Sequence, residues 1–307
     1  MILDHDLLEQ FEAGLNPQAI EDSVVPAVLL GYGEISAIFQ IRDDTSIAYK
    51  RMPLFDSTAG ASAYAELYKE YCALLEKAGV NLPASATTIV EIPGRPVVMY
   101  IGQRAFPAQR ICNKLIHEFS SDQTQKLIRR ILEYQVEIRE FNNTVMPDLE
   151  IAVDGQISNW VLEGDLDTGT IFYLDTSTPF IRKKGAHQLD PELVLQAAPA
   201  FLRWLVRWLF VDEVLDRYYD PRKNMIDLAA NLFKEQRPDL IPMVIETINE
   251  SLPDDIPPLS QSDVEKYYKE DKFIWALFLT LRRLDRFLTT KIFRKRYEFI
   301  LPGKIQR

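Results

Sequence analysis

The sequence predicts an α+β chain in two lobes, a small antiparallel β-sheet lobe carrying one helix and a larger, mainly helical lobe that holds one β-hairpin. Three observations predict it. Short β-favouring runs punctuated by turns fill residues 24–52 and 86–101 on either side of a single helical stretch. Nearly everything from Asp190 onward carries helical periodicity. Between the two halves, a pair of short β runs is joined by a polar loop with a glycine at each side.

A short amphipathic helix is expected from Asp6 to Gly14, within an N-terminal extension over 1–23. Val24–Leu30, Ile35–Ile41 and Ser46–Met52 then read as three strands in a meander, with turns at Gly31-Tyr-Gly33 and Arg42–Thr45. From Thr58 to Gly79 the apolar residues Ala63, Leu67, Tyr71, Leu74, Leu75 and Ala78 recur at helical spacing, and Gly79 closes the helix. Two further strands, Ala86–Ile92 and Pro96–Ile101, flank a Pro93-Gly-Arg95 turn and complete a small lobe over 24–103, with a hinge near Gly102.

The large lobe, 104–307, begins with one or two helices over Ala108–Asn142. A hairpin is expected over 151–176: Trp160–Leu162 and Ile171–Leu174 are β runs, and Glu163–Gly169 is the loop between them. Asp190-Pro191 and Asp220-Pro221 each set a capping residue before a proline at the first helical position. Phe201–Val211 reads as a buried helix whose Arg203 and Arg207 snorkel or pair. Leu252–Leu259 reads as a linker before a long helix from Ser262 to beyond Phe287.

Composition narrows the function classes. With 35 basic against 45 acidic residues and a formal net charge of −10, no chain-wide electrostatic footprint for nucleic acid is present, and none is expected as a partner. Cys72 and Cys112 lack CxxC spacing and clustered histidines, which argues against a disulfide framework or a zinc site. Met1–Asp6 has no basic n-region, and the most apolar stretch is far short of the ~20 residues of a membrane span. A cytoplasmic location without a transmembrane segment is the expectation.

Chemistry concentrates in the hairpin. Asp154 is followed five positions later by Asn159, and Asp175 stands at the far end of the second β run. No other Asp in the chain has Asn at that offset. Such residues are commonly turn formers and caps, but a hairpin brings its outer ends together, so Asn159 and Asp175 should face one edge. An Asp that accepts a hydroxyl proton, with Asn and Asp holding Mg²⁺, is a minimal apparatus for phosphoryl transfer from ATP.

This element order, with Asp154, Asn159 and Asp175 where they stand, resembles the protein-kinase-like superfamily, and more closely its aminoglycoside and choline phosphotransferase branch. The resemblance covers roughly Val24 to Asp220. It implies that Asp154 is the catalytic-loop Asp, Asn159 and Asp175 bind the metal, and Lys50 contacts the ATP phosphates. It implies a Glu partner for Lys50 on the following helix, for which Glu70 lies nearer the apolar stripe than Glu66. Gly31, Gly33 and Ser36 match the phosphate-covering loop, although a GxG is also an ordinary hairpin turn.

The departures shape the functional expectation. Ala152 stands where the family has His, Gln156 replaces a common Lys or Arg, and Asp175-Thr-Ser177 lacks Phe-Gly. Only about fifteen residues separate Asp175 from the next helix start, with no Ala-Pro-Glu, which leaves little room for a peptide-binding segment. The resemblance therefore implies an ATP- and Mg²⁺-dependent phosphotransferase acting on a small-molecule hydroxyl. The rivals are an inactive kinase-like module that binds nucleotide or a partner, and an unrelated helical interaction protein. Arg182–Lys184 is a candidate contact for an anionic substrate group, against a solvated loop cluster. Lys291–Leu301, basic and aromatic, reads as an amphipathic helix end docked on the larger lobe, with an anionic membrane surface or RNA as the alternative partners.

Overall fold

A computed structural model describes the chain except residues 34–35, 145–147, 191–192, 194–211 and 303–307. The expected buried helix over 201–211 and the helix start after Asp190 lie outside the described residues. The two-lobed α+β class is the one observed. Helix α1 (His5–Gly14) precedes strands β1 (Ala27–Tyr32), β2 (Ala37–Ile41) and β3 (Ile47–Phe55), then α2 (Thr58–Lys77), β4 (Ser85–Val90) and β5 (Val97–Arg104). These strands form one antiparallel sheet in the order β1-β2-β3-β5-β4.

Both faces of that sheet are covered, which is why β3 is buried along most of its length instead of alternating. The outer face packs Phe39, Ile41, Tyr49, Val98 and Tyr100 against Leu8, Phe11 and Leu15 of the α1 region. The inner face packs Met52, Met99 and Ile101 into a core that continues through α2 into the large lobe. Helix α2 starts at Ser57, whose hydroxyl accepts from the Gly60 amide at 3.2 Å. It stops before Gly79, whose φ of +88° favours glycine; a Cβ there would also meet Glu137 Oε2 at 2.8 Å.

The sheet does not hinge at Gly102. Strand β5 runs on through Gly102 to Arg104, and a Cβ at Gly102 would meet the Leu3 side chain at 2.4 Å, so this glycine serves close packing. The link to the large lobe is 105–107, followed by a short 3₁₀ turn and helices α3 (Cys112–Glu118) and α4 (Ser121–Thr144).

Next come β6 (Leu149–Ile151), β7 (Trp160–Glu163) and β8 (Thr170–Tyr173), then β9 (Ile181–Lys183) and β10 (Ala186–His187). Strands β7 and β8 form the expected hairpin, with Trp160 opposite Tyr173. The described helices that follow are α5 (Asp212–Tyr219), α6 (Pro221–Lys234), α7 (Ile241–Ser251) and α8 (Gln261–Phe287). Asp220 caps α6 by accepting from the Lys223 amide at 3.1 Å, and Ser260 with Asp263 forms a capping box on α8. Asn249 fastens the α7–α8 linker through two hydrogen bonds to the Leu259 backbone.

The segment after α8 departs from expectation. It forms no amphipathic helix beyond a five-residue π turn at Leu288–Ile292, and it touches both lobes: Tyr297 and Phe299 pack on Arg282 of α8, while Glu298 and Ile300 reach the small lobe. Ile300 enters the outer core beside Val25 and Tyr100, and Glu298 joins a buried ionic cluster with Glu12, Arg51 and Arg95. An extended chain suits this role better than a helix, because it carries Arg296, Glu298 and Ile300 to partners spread along the sheet. Among the described residues no helix is long and apolar enough to cross a membrane.

Candidate active site

Lys50 reaches from β3 across to the large lobe. Its Nζ donates to Asp175 Oδ1 at 2.7 Å and to Ser177 Oγ at 3.0 Å, and only 10% of the side chain is exposed. Ser177 Oγ donates to the same Asp175 oxygen at 2.9 Å. Burial pushes the Asp175 carboxyl up, but the Lys50 charge and the hydrogen bonds from Lys50 and Ser177 outweigh it and hold the group below the usual range. One Asp175 oxygen is thus occupied, while the other accepts no hydrogen bond from the described residues.

The loop from Asp154 to Asn159 is braced at several points. The Asp154 amide donates to the Tyr173 hydroxyl at 3.1 Å, the Gln156 amide donates to Asp154 Oδ1 at 3.1 Å, and Asn159 Nδ2 donates to the Asp154 carbonyl at 3.2 Å. The Leu174 amide donates to the Asn159 carbonyl at 2.8 Å, which ties the outer ends of the hairpin together. Asn159 and Asp175 are therefore brought to one edge. Asn159 Oδ1, like the second Asp175 oxygen, accepts no hydrogen bond from the described residues.

A polar stripe on α6, missed in the sequence, carries this loop. Asn224 Nδ2 donates to the Val153 carbonyl at 2.6 Å, Asn231 Oδ1 accepts from the Ile157 amide at 3.1 Å, and Asp227 Oδ2 accepts from Gln156 Nε2 at 3.1 Å. These three buried residues recur every three or four positions among Met225, Ile226, Leu228, Ala229, Ala230 and Leu232. That spacing of polar side chains on an otherwise apolar helix was the available signal, since buried amides and carboxylates require partners. Gly155 makes the approach feasible: a Cβ there would meet Asn224 Oδ1 at 2.4 Å and Gln135 Nε2 at 2.6 Å.

Asp227 is 3% exposed, and its Oδ1 has no hydrogen-bond partner among the described residues. Gln156 bridges it to Asp154, the backbone amide serving one carboxylate and the side-chain amide the other. Burial, then the Asp227 charge, then the Asp175 charge push the Asp154 carboxyl well above its ordinary range. Asp154 and Asp175 are thus moved in opposite directions within one cleft, a separation suited to unlike roles for the two carboxylates.

The remaining predicted residues fall out unevenly. Glu70 does not meet Lys50; it pairs with Lys183 on β9 at 2.7 Å. The buried face of α2 is Ala61, Tyr64, Ala65, Tyr68, Tyr71, Leu74 and Leu75, whereas Ala63 is exposed and Leu67 only half-buried. The stripe is rotated from the one expected, because Tyr64 and Tyr68 join Tyr71 on the face that packs. Tyr64 donates to the Ser177 carbonyl at 2.7 Å and Tyr71 to the Ala152 carbonyl at 2.5 Å. Hydroxyls, not a carboxylate, join α2 to the site.

Gly31, Gly33 and Ser36 lie at the β1–β2 turn, near the level of Lys50, which pairs with Ile38 across the sheet. The Gly33 amide donates to the Ser36 carbonyl at 2.9 Å, and a Cβ on Gly33 would strike Ser36 Oγ at 2.6 Å. Arg182 is committed to Glu150, Asp216 and the Tyr219 ring, and Lys183 to Glu70, so neither is held open for a substrate anion.

The donor set fits Mg²⁺. Asp175 and Asn159 supply hard oxygen donors on adjacent backbone, and no cluster of three acid, His or Cys side chains gathers among the described residues. An ion held by one or two carboxylate or amide oxygens completes its octahedron with water and phosphate.

No curated protein matches the chain. A solved structure described as WaaP in complex with acyl carrier protein aligns over 87% of this chain and 98% of that one, with a TM-score of 0.37 and 11% identity. A family model described as a family of unknown function, DUF6206, matches residues 19–286, and the chain belongs to that family.

Proposed function

We propose that the chain is an ATP- and Mg²⁺-dependent phosphotransferase that acts on a hydroxyl of a small molecule. One observation carries this reading: Lys50 of the small lobe and Asp175 of the large lobe meet at 2.7 Å, beside Asn159 and the raised carboxyl of Asp154. Bound Mg²⁺ supplies charge neutralisation on the phosphates. Asn159 and Asp175 would hold the ion, and the Lys50 ammonium, which lies against Asp175, would serve the phosphate oxygens. Asp154, as carboxylate, orients the acceptor hydroxyl and takes its proton, while the Asn224, Asp227 and Asn231 stripe fixes the loop that presents it. Positioning of this kind is most of what phosphoryl transfer asks of a protein.

A thermal-shift series with ATP, with and without Mg²⁺, tests the reading. Nucleotide at about 100 times its dissociation constant stabilises the native state by roughly 2.7 kcal/mol. Absence of any metal-dependent shift contradicts the proposal. A second reading, a binding module that retains nucleotide without transferring phosphate, is favoured by the tyrosine face of α2, which offers Lys50 no carboxylate. Mg²⁺-ATP binding with no turnover on any hydroxyl compound, and no hydrolysis, selects that reading.

A further inference from the structure

Residues 291–296, Lys-Ile-Phe-Arg-Lys-Arg, are all exposed, although Ile292 and Phe293 are 59% and 65% accessible and apolar. Burial of these side chains does not shape the segment; its backbone does. The Phe293 amide donates to the Leu288 carbonyl at 2.9 Å, the Lys295 amide donates to the Thr289 carbonyl at 2.8 Å, and Arg294 takes a φ of +53°. The result is a knuckle at the end of α8. It is fastened behind as well, because Arg296 donates to the Leu15 carbonyl at 2.7 Å and Tyr297 is buried. Two more exposed apolar side chains, Leu284 and Phe287, lead up to it along the last turns of α8.

Lys291, Arg294 and Lys295 make no ion pair among the described residues. In a chain of net charge −10 they form a local basic patch around an apolar tip. Such a combination of outward apolar groups and uncompensated cations matches an anionic lipid surface. Single-stranded RNA fits less well, since only Phe287 and Phe293 of the four exposed apolar side chains offer a ring on which a base can stack. A protein partner fits less well too, because lysine is depleted at protein interfaces.

We propose that this knuckle docks the protein on anionic membranes, Ile292 and Phe293 entering the headgroup boundary while Lys291, Arg294 and Lys295 meet lipid phosphates. The proposal is independent of the catalytic reading.

The test is co-sedimentation of the full chain with phosphatidylcholine vesicles and with vesicles containing about 30% phosphatidylserine, in low and high salt. Binding is expected on the anionic vesicles, weaker in high salt, and marginal on the neutral ones. Each lost cation is expected to weaken it about fivefold, so the combined Lys291→Glu, Arg294→Glu and Lys295→Glu variant falls by on the order of a hundredfold or more. Ile292→Ser with Phe293→Ser is expected to lower binding on the order of tenfold. Because these side chains are exposed, both variants should melt like the parent, and the melting curve checks that. Equal binding to both vesicle types, binding unaffected by charge reversal, no binding to either vesicle, or binding to poly(U) RNA without binding to vesicles would each overturn the proposal.

Discussion

Lys50 and Arg51 are neighbours on β3 that point to opposite faces of the sheet, Lys50 to Asp175 in the cleft and Arg51 to Glu12 and Glu298 in the outer core. The side-chain period of two in a strand makes this unavoidable. It couples the register of β3 to both sites at once: a one-residue slip would put the buried guanidinium in the cleft and Lys50 among the acids.

Asp175→Ala is expected to weaken Mg²⁺-dependent ATP binding by on the order of tenfold or more, and Asp154→Ala by much less. The first removes an ion ligand, the second a group that faces the acceptor. Calorimetric titration of ATP with and without Mg²⁺ checks this, and equal affinities for the parent and the Asp175 variant would contradict the assignment.

Glu70→Ala should leave Mg²⁺-ATP affinity unchanged within about twofold and stability within about 1 kcal/mol, because the Glu70–Lys183 pair is partly exposed, 41% and 43%, and screened by solvent. A large loss of nucleotide affinity would restore the pairing of Glu70 with Lys50.

Asp227→Asn removes a charge that raises the Asp154 carboxyl. Asp154 must be ionised to accept a proton, so turnover should rise with pH through its raised value, and the variant should reach half-maximal rate at lower pH. The pH profile of ATP hydrolysis is the measurement. A loop-bracing role alone would lower the rate without moving the profile.

Burial opposes ionisation of Glu12, but Arg51, Arg95 and the Tyr100 hydroxyl outweigh it and bring the carboxyl from 4.5 to about 2. A folded-state value depressed in this way gives stability that is full above 4.5 and lost as pH falls toward about 2, worth roughly 3 kcal/mol. Glu12→Gln should flatten that limb of the acid-unfolding curve. It should also lower stability at neutral pH by about 3–5 kcal/mol, since it breaks a buried ion pair from one side.

The outer core also predicts that Ile300→Ala destabilises the fold by about 2 kcal/mol or more, as for a core residue, although it lies in a segment without regular structure. Urea unfolding measures it, and a loss of a few tenths would show that the docking of this segment is superficial.

Much of this architecture was readable because it rests on local pattern. The meander, the β7–β8 hairpin and the Asp220 cap follow from alternation, turn residues and a capping side chain, all written within a few positions. The inward face of α2 differs from the expected one because Tyr64 and Tyr68 read as intermediate residues until the acceptors of their hydroxyls are known. For Tyr64 that acceptor, the Ser177 carbonyl, is 113 positions away. The same holds for the α6 stripe, whose amides look like surface residues until the Asp154 loop is laid over them, and for Glu298, whose partner Arg51 is 247 positions away.

That separation matters for the order in which the molecule can form. A chain emerging from the ribosome presents α1 and all five strands of the small lobe long before Glu298 and Ile300 exist. Until then Arg51 and Arg95 share the single carboxylate of Glu12, and the place of Ile300 in the outer core is unfilled. The small lobe is therefore made well before the segment that completes its outer core, and it stays short of one carboxylate and one apolar side chain until that segment arrives.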